Sequence, residues 1–247
     1  MANPLVVDLS HHNPTPDWVQ LKAAGTVGII HKATEGTTFV DSELFERARE
    51  AEDAGLCWST YHFLRKGKVK SQISHYLGTI NPKYGERVCI DHESAPDGST
   101  PSLSELKQAV QGILEQRPDL QITIYSGNLI KEQLGYTADG LLAATTSLWI
   151  AHYTSNSAPE WPRGTWPTWS LWQYTDKATV VGISAPVDGD RWNGDPARLV
   201  QWFGPAVEEP LPIPGEGKEV LVAITQPEGV NVVVTVNGQP YGPAAIV

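Results

Sequence analysis

The clearest chemical signal in the sequence is acidic. Asp91 and Glu93 stand one residue apart at the end of the apolar run Arg87-Val88-Cys89-Ile90. Side chains alternate along a strand, so positions i and i+2 face the same side. The two carboxyls are therefore expected to project together. Asp188 and Asp190 repeat that spacing near a late apolar segment, and Asp8 lies at the end of Leu5-Val6-Val7-Asp8-Leu9. Carboxyls that converge push their pKa values up and apart. One then stays protonated as an acid while another stays ionised, the division of labour that glycosidic bond hydrolysis requires. The spacing alone also fits a cation site built of carboxylates.

Histidines supply a competing reading. His11, His12, His31, His62, His92 and His152 lie near expected strand ends, and with Asp8 or Asp91 they suit zinc, as in a metal-dependent deacetylase. No HExxH pair occurs, and alternation turns His92 away from its two acidic neighbours. The favoured reading has no metal and no cofactor, with His62 and His152 as hydrogen-bonding or sugar-contacting groups. Nine Trp, eight Tyr and four Phe are a skewed aromatic set. Tyr61, Phe63, Tyr125, Trp149, Tyr153 and Gln173 fall at the same strand ends. Aromatic faces stack on sugar C–H faces, and amide and phenol groups suit sugar hydroxyls. Trp149 and Trp172 fit the core equally well.

Parallel strands that end at one mouth would bring these side chains together. Six continuous apolar runs, at residues 5–9, 27–32, 56–63, 87–91, 121–125 and 148–151, suit strands buried on both faces. Helical spacing marks residues 41–54 and 102–116, the latter with a capping-box start at Ser102 and Glu105. Weaker helical patterns cover 68–80 and 128–134. After Tyr153 the helices disappear, and two more strands are expected around 170–174 and 187–191. The pattern predicts an α/β barrel that is regular at first and irregular at its close. Cys57 and Cys89 are expected to be buried free thiols in strands.

A helix at 196–203 is expected to close the first domain, residues 1–204. A Pro-rich linker, 205–218, and a small β-rich unit, 219–247, follow, the latter with a hairpin signal at Asn237-Gly238. This unit suggests wall binding or self-association. From 205 to 247, linker and unit together, five glutamates stand against Lys218, a net charge of −4, which disfavours attraction to anionic polymers. The chain as a whole has 18 basic and 28 acidic residues, net −10. Such a balance disfavours a phosphate-backbone binder, so no nucleic-acid partner is expected. No apolar run is long enough to span a bilayer, and no secretory signal is visible at Met1-Ala2-Asn3-Pro4.

The segments Val7-Asp8-Leu9-Ser10-His11-His12 and His31-Lys32-Ala33-Thr34-Glu35-Gly36 resemble the opening motifs of glycoside hydrolase family 25, the Chalaropsis-type lysozymes. Tyr61-His62-Phe63, Ile90-Asp91-His92-Glu93, Ile124-Tyr125-Ser126, Leu148-Trp149-Ile150-Ala151 and Leu171-Trp172-Gln173-Tyr174 continue the resemblance in order. It implies an irregular (βα)5β3 TIM-like barrel and an N-acetylmuramidase acting on bacterial peptidoglycan. It also implies Glu93 as general acid/base, Asp91 as the group that orients the substrate acetamide or stabilises nearby positive charge, and Asp8 and Asp188 as supporting carboxylates. Glu35 and Asp190 join the aromatic and amide candidates as substrate-binding residues. With no signal visible and a C-terminal addition, the chain resembles a phage endolysin, made in the host cytoplasm and acting on the wall after release. A non-catalytic glycan-binding or virion structural protein on the same barrel is the remaining alternative.

Overall fold

The computed structural model describes residues 4–204, together with the short ladder of Thr235–Val236 and Gln239–Pro240. In chain order the elements of the first part are β1 (Val6–Leu9), α1 (Trp18–Ala23), β2 (Gly28–Glu35), β3 (Phe39–Val40), α2 (Leu44–Asp53), β4 (Cys57–Phe63), α3 (Val69–Ile80), β5 (Arg87–Asp91), α4 (Leu103–Gln116), β6 (Gln121–Ser126), α5 (Asn128–Leu134), α6 (Gly140–Thr145), β7 (Thr146–Ala151), β8 (Leu171–Ala178), β9 (Val187–Trp192) and α7 (Leu199–Phe203). Eight strands close into a barrel in the order β1-β2-β4-β5-β6-β7-β8-β9, while β3 folds back on β2 as an added edge. Pairing is parallel from β1 to β8, and β9 runs antiparallel to both of its neighbours. Five βα units followed by three strands without intervening α-helices reproduce the expected (βα)5β3 order. The antiparallel β9 follows from its short connection, since a parallel return needs a crossover of a dozen or more residues.

The apolar runs form strands because both their faces are covered. Outward-facing Val88, Ile90, Ile122, Ile124, Leu148 and Ile150 pack against Ile73, Tyr76, Leu106, Val110 and Ile113 of α3 and α4. Ser102 and Glu105 make the reciprocal capping box at the start of α4. Inward-facing Val6, Ile30, Cys89, Trp149 and Leu171 fill the barrel with Leu199, Trp202 and Phe203 of α7. Helix α7 thereby plugs the end opposite the mouth. The Phe203 ring lies where a Cβ on residue 28 would stand, so Gly28 is needed for that approach. Arg87 completes the plug. It donates to Thr123 Oγ1 at 2.9 Å and Ser147 Oγ at 3.1 Å, also bonds the Trp202 carbonyl and Gln121, and its guanidinium lies 4.1 Å from the Trp202 ring centroid.

Several elements differ from the sequence expectation. β2 and β8 run further than the apolar runs, and α1, β3 and α6 have no counterpart among the expected elements. Cys89 is buried and free in β5, whereas Cys57 in β4 is free but only half-buried. The chain divides into two units, Met1–Ala206 and Val207–Val247. In the second, β10 (Thr235–Val236) pairs antiparallel with β11 (Gln239–Pro240) on either side of Asn237-Gly238. The expected linker at 205–218 and most of the unit at 219–247 lie outside the described residues. No helix among the described residues is long and apolar enough to cross a membrane.

Candidate active site

Inward side chains at the C-terminal strand ends surround a pocket of about 250 Å³. Asp91 and Glu93 line one wall of it, with Tyr61 and Tyr125 from the flanking strands. Asp8, Asp188 and Gln173 form another part, with Trp149 and Tyr153 completing the lining. The Asp91-His92-Glu93 backbone is pinned by β6. His92 N–H donates to the Tyr125 carbonyl at 2.9 Å, and the His92 carbonyl accepts the Ser126 hydroxyl at 2.6 Å. The His92 ring points outward to Gln133 Oε1 at 2.9 Å, as alternation predicts, so both acids turn inward.

Gln173 organises the opposite wall. Its amide oxygen accepts the hydroxyls of Tyr125 and Tyr153, both at 2.8 Å, and its amide nitrogen donates to Asp8 Oδ2 at 3.0 Å. Asp190 lies deeper, 1 % exposed, with Oδ1 accepting Trp149 Nε1 at 2.6 Å. It is thus a group beneath the site rather than a surface that substrate reaches.

Burial is the main force on these carboxyls, and it favours the neutral form. Asp91 is pushed well up by burial and then by Glu93, while Lys32 opposes the rise. Glu93 is raised by burial, with Lys32 pulling down and Asp188 pushing up. Burial and Asp8 raise Asp188 to about 8, and burial raises Asp190 to about 7. Asp8 is also held well above its usual range by burial and Asp190. The pocket therefore retains protons at neutral pH, and Asp91 keeps one buried oxygen, Oδ1, with no protein hydrogen-bond partner.

These shifts carry a stability consequence. A carboxyl whose folded pKa is raised contributes stability that is present below its unfolded value and lost as pH rises through the folded one. For Asp188 that window runs from 3.8 to about 8. Asp188→Asn is accordingly expected to raise Tm at pH 8 and to leave it unchanged near pH 4. A thermal scan showing no gain at pH 8 would contradict the burial assigned to this carboxyl.

Among the other sequence candidates, Phe63 and Glu35 lie beside the acidic wall rather than in the pocket lining. Both adjoin Lys32, whose Nζ is 2.6 Å from Glu35 Oε2 and 5.0 Å from the Phe63 ring centroid. His62 is not brought to the pocket. It is fully buried outside the barrel wall, bonded to Thr34 Oγ1 at 2.7 Å and Gln72 Oε1 at 3.2 Å, and burial lowers its pKa to about 4. His152 also turns elsewhere and accepts the Glu160 N–H at 2.9 Å. His11 pairs with Asp41 at 2.7 Å, and His31 stacks on Trp58. Among the described residues, no group of three or more His, Cys, Asp or Glu side chains is arranged to hold a metal ion. Trp172 bonds the His152 carbonyl from the outer core. Lys32, two residues beyond inward-facing Ile30 and paired with pocket-lining Tyr61, lies on the inner face by regular alternation, although it is not among the sequence candidates.

The model of the glycosyl hydrolases family 25 matches residues 7–183, ending just before Asp188. Lysozyme M1 of Streptomyces globisporus is 29% identical over 206 residues, covering 78% of this chain and 69% of that protein. The autolytic lysozyme of Clostridium acetobutylicum is 28% identical, covering 76% of this chain and 55% of its own length. The crystal structure of a bacterial lysozyme from Streptomyces coelicolor superposes with a TM-score of 0.71 at 26% identity, over 82% of this chain and 97% of that one. With the barrel, the paired acids at its mouth and a family match across most of its length, the chain belongs to glycosyl hydrolases family 25.

Proposed function

We propose that this chain is an N-acetylmuramidase that cleaves the β-1,4 bond between N-acetylmuramic acid and N-acetylglucosamine in bacterial peptidoglycan. The observation that carries the reading is the Asp91 and Glu93 pair, side by side in a pocket that raises the proton affinity of both. Glu93 gives its proton to the glycosidic oxygen as the C1–O bond breaks, and later takes one from the incoming water. The unpartnered Asp91 Oδ1 accepts the substrate acetamide N–H. That holds the acetamide oxygen against the anomeric carbon, and with the proton of the pair held by Glu93 the Asp91 carboxylate offsets the positive charge developing there. Asp8 and Asp188 support the charge balance, and Gln173 fixes Asp8 and the two tyrosines.

Purified peptidoglycan provides the test. The enzyme is expected to release reducing groups without free acetate, and to do so equally with and without EDTA. Acetate release without chain cleavage, lost on chelation, would establish a metal-dependent deacetylase instead. The setting included in the proposal is phage lysis of a bacterial host, with the C-terminal unit serving wall attachment or self-association. Deleting 206–247 is expected to weaken wall binding or to lower the oligomeric mass. No change in either would remove both roles.

A further inference from the structure

Strand β2 contains an irregularity that its motif alone does not explain. Lys32 pairs with Tyr61 and Thr34 pairs with His62, so two steps along β2 match one step along β4. Such a bulge re-aims the side chains that follow it. In a regular strand, residues three apart face opposite sides. Here Lys32 and Glu35 meet on one side, with Nζ 2.6 Å from Oε2. Lys32 shares the level of pocket-lining Tyr61, and Glu35 shares that of Phe63, which in turn pairs with Asp91.

The ammonium is held tightly. Lys32 is 9 % exposed, and its Nζ lies 5.4 Å from the Phe39 ring centroid and 5.0 Å from that of Phe63. Aromatic faces attract a cation without neutralising it. Arg65 contacts the other Glu35 oxygen, Oε1, at 3.5 Å and also pairs with Asp97. Glu35 is therefore steered from behind, and its other oxygen fixes the lysine.

We propose that the Lys32–Glu35 ion pair, brought onto one face by the β2 bulge, is a positioning device that sets the proton affinity of the Asp91 and Glu93 pair. This deepens the muramidase reading and rests on it for its consequence in catalysis. A fixed cation favours ionised carboxyls, and a neighbouring anion opposes it. Lys32 pulls both Asp91 and Glu93 downward, and Glu35 pushes Asp91 upward. The other titratable groups facing the pair are Asp8 from β1, Tyr61 from β4, Tyr125 from β6, Tyr153 just after β7 and Asp188 from β9. All of these are acidic, and among the described residues Lys32 is a cation that acts on both carboxyls.

The test is a carboxyl-carbon NMR titration of the full chain, with wild type beside Lys32→Met, Lys32→Arg and Glu35→Gln. Lys32→Met is expected to move the midpoints of the pair upward by about one pH unit. Glu35→Gln is expected to move the Asp91 midpoint downward, and Lys32→Arg to keep both near wild type. In the pH–rate profile, both limbs should follow in those opposite directions. If Lys32→Met does not fold, Glu35→Gln still decides through its downward shift. Midpoints that stay fixed, or that move the same way in Lys32→Met and Glu35→Gln, would overturn the proposal. The titration reads protons rather than products. A wild type that leaves peptidoglycan uncut would therefore defeat the muramidase reading while still reporting on Lys32.

Discussion

Replacing Glu93 by Gln is expected to lower kcat on peptidoglycan by about 10³-fold, because a positioned general acid contributes roughly 10²–10⁴. Glutamine keeps the size and polarity of the side chain but has no proton to give at any pH. Glu93 is partly buried at the mouth, where it lines the pocket rather than the packed interior. The backbone that carries it is held by Tyr125 and Ser126, not by its own carboxyl. Folding should therefore survive, with Tm at pH 5 within a degree or two of wild type. Loss of activity with loss of fold would leave the acid unassigned, so circular dichroism and kcat must be read on the same sample. Wild-type kcat in a folded Glu93→Gln variant would place the acid elsewhere.

Asp91→Asn is expected to cost about 10²-fold in kcat, the scale of losing one preorganised electrostatic group near developing charge. The substitution keeps an oxygen at the Oδ1 position but removes the negative charge. It also changes the pH response in a defined direction. Asp91 and Glu93 titrate together, with burial and then the Glu93 charge among the causes that raise Asp91; the repulsion is mutual, so an ionised Asp91 in turn makes Glu93 harder to ionise. Without that anion Glu93 loses its proton at lower pH. The alkaline limb of the kcat profile should then move downward, so that activity falls earlier as pH rises. An unchanged alkaline limb with a lowered plateau would mean that the two carboxyls act independently.

Much of this arrangement was legible in the residues. The i, i+2 rule placed Asp91 and Glu93 together and turned His92 away, and the structure shows the reason, since β6 and α5 hold His92 by its backbone and ring. The same rule, applied to Tyr61-His62-Phe63, would have removed His62 from the site. Its neighbours face the barrel interior, so it must meet α3. The loss of helices after Tyr153 was visible as Pro, Gly and Trp replaced helical spacing.

Other features depend on contacts that a single stretch of sequence does not encode. α1 buries only Trp18 and Leu21, too few positions to establish a period. β3 is two exposed residues whose strand character exists only through pairing with β2. The bulge at Lys32 and Thr34 arises from the register against β4, and without it Lys32 has no place beside Glu35. The depth of Asp190 depends on Trp149 reaching it across the barrel. Its spacing from Asp188 correctly gave a shared face but gave no indication of depth.

The most direct test of the central claim is mass analysis of borohydride-reduced fragments from purified peptidoglycan, digested by wild type and by Glu93→Gln in parallel. The account predicts new N-acetylmuramitol ends from wild type and none from the variant. Ends in N-acetylglucosaminitol, or equal yields from the two proteins, would contradict it.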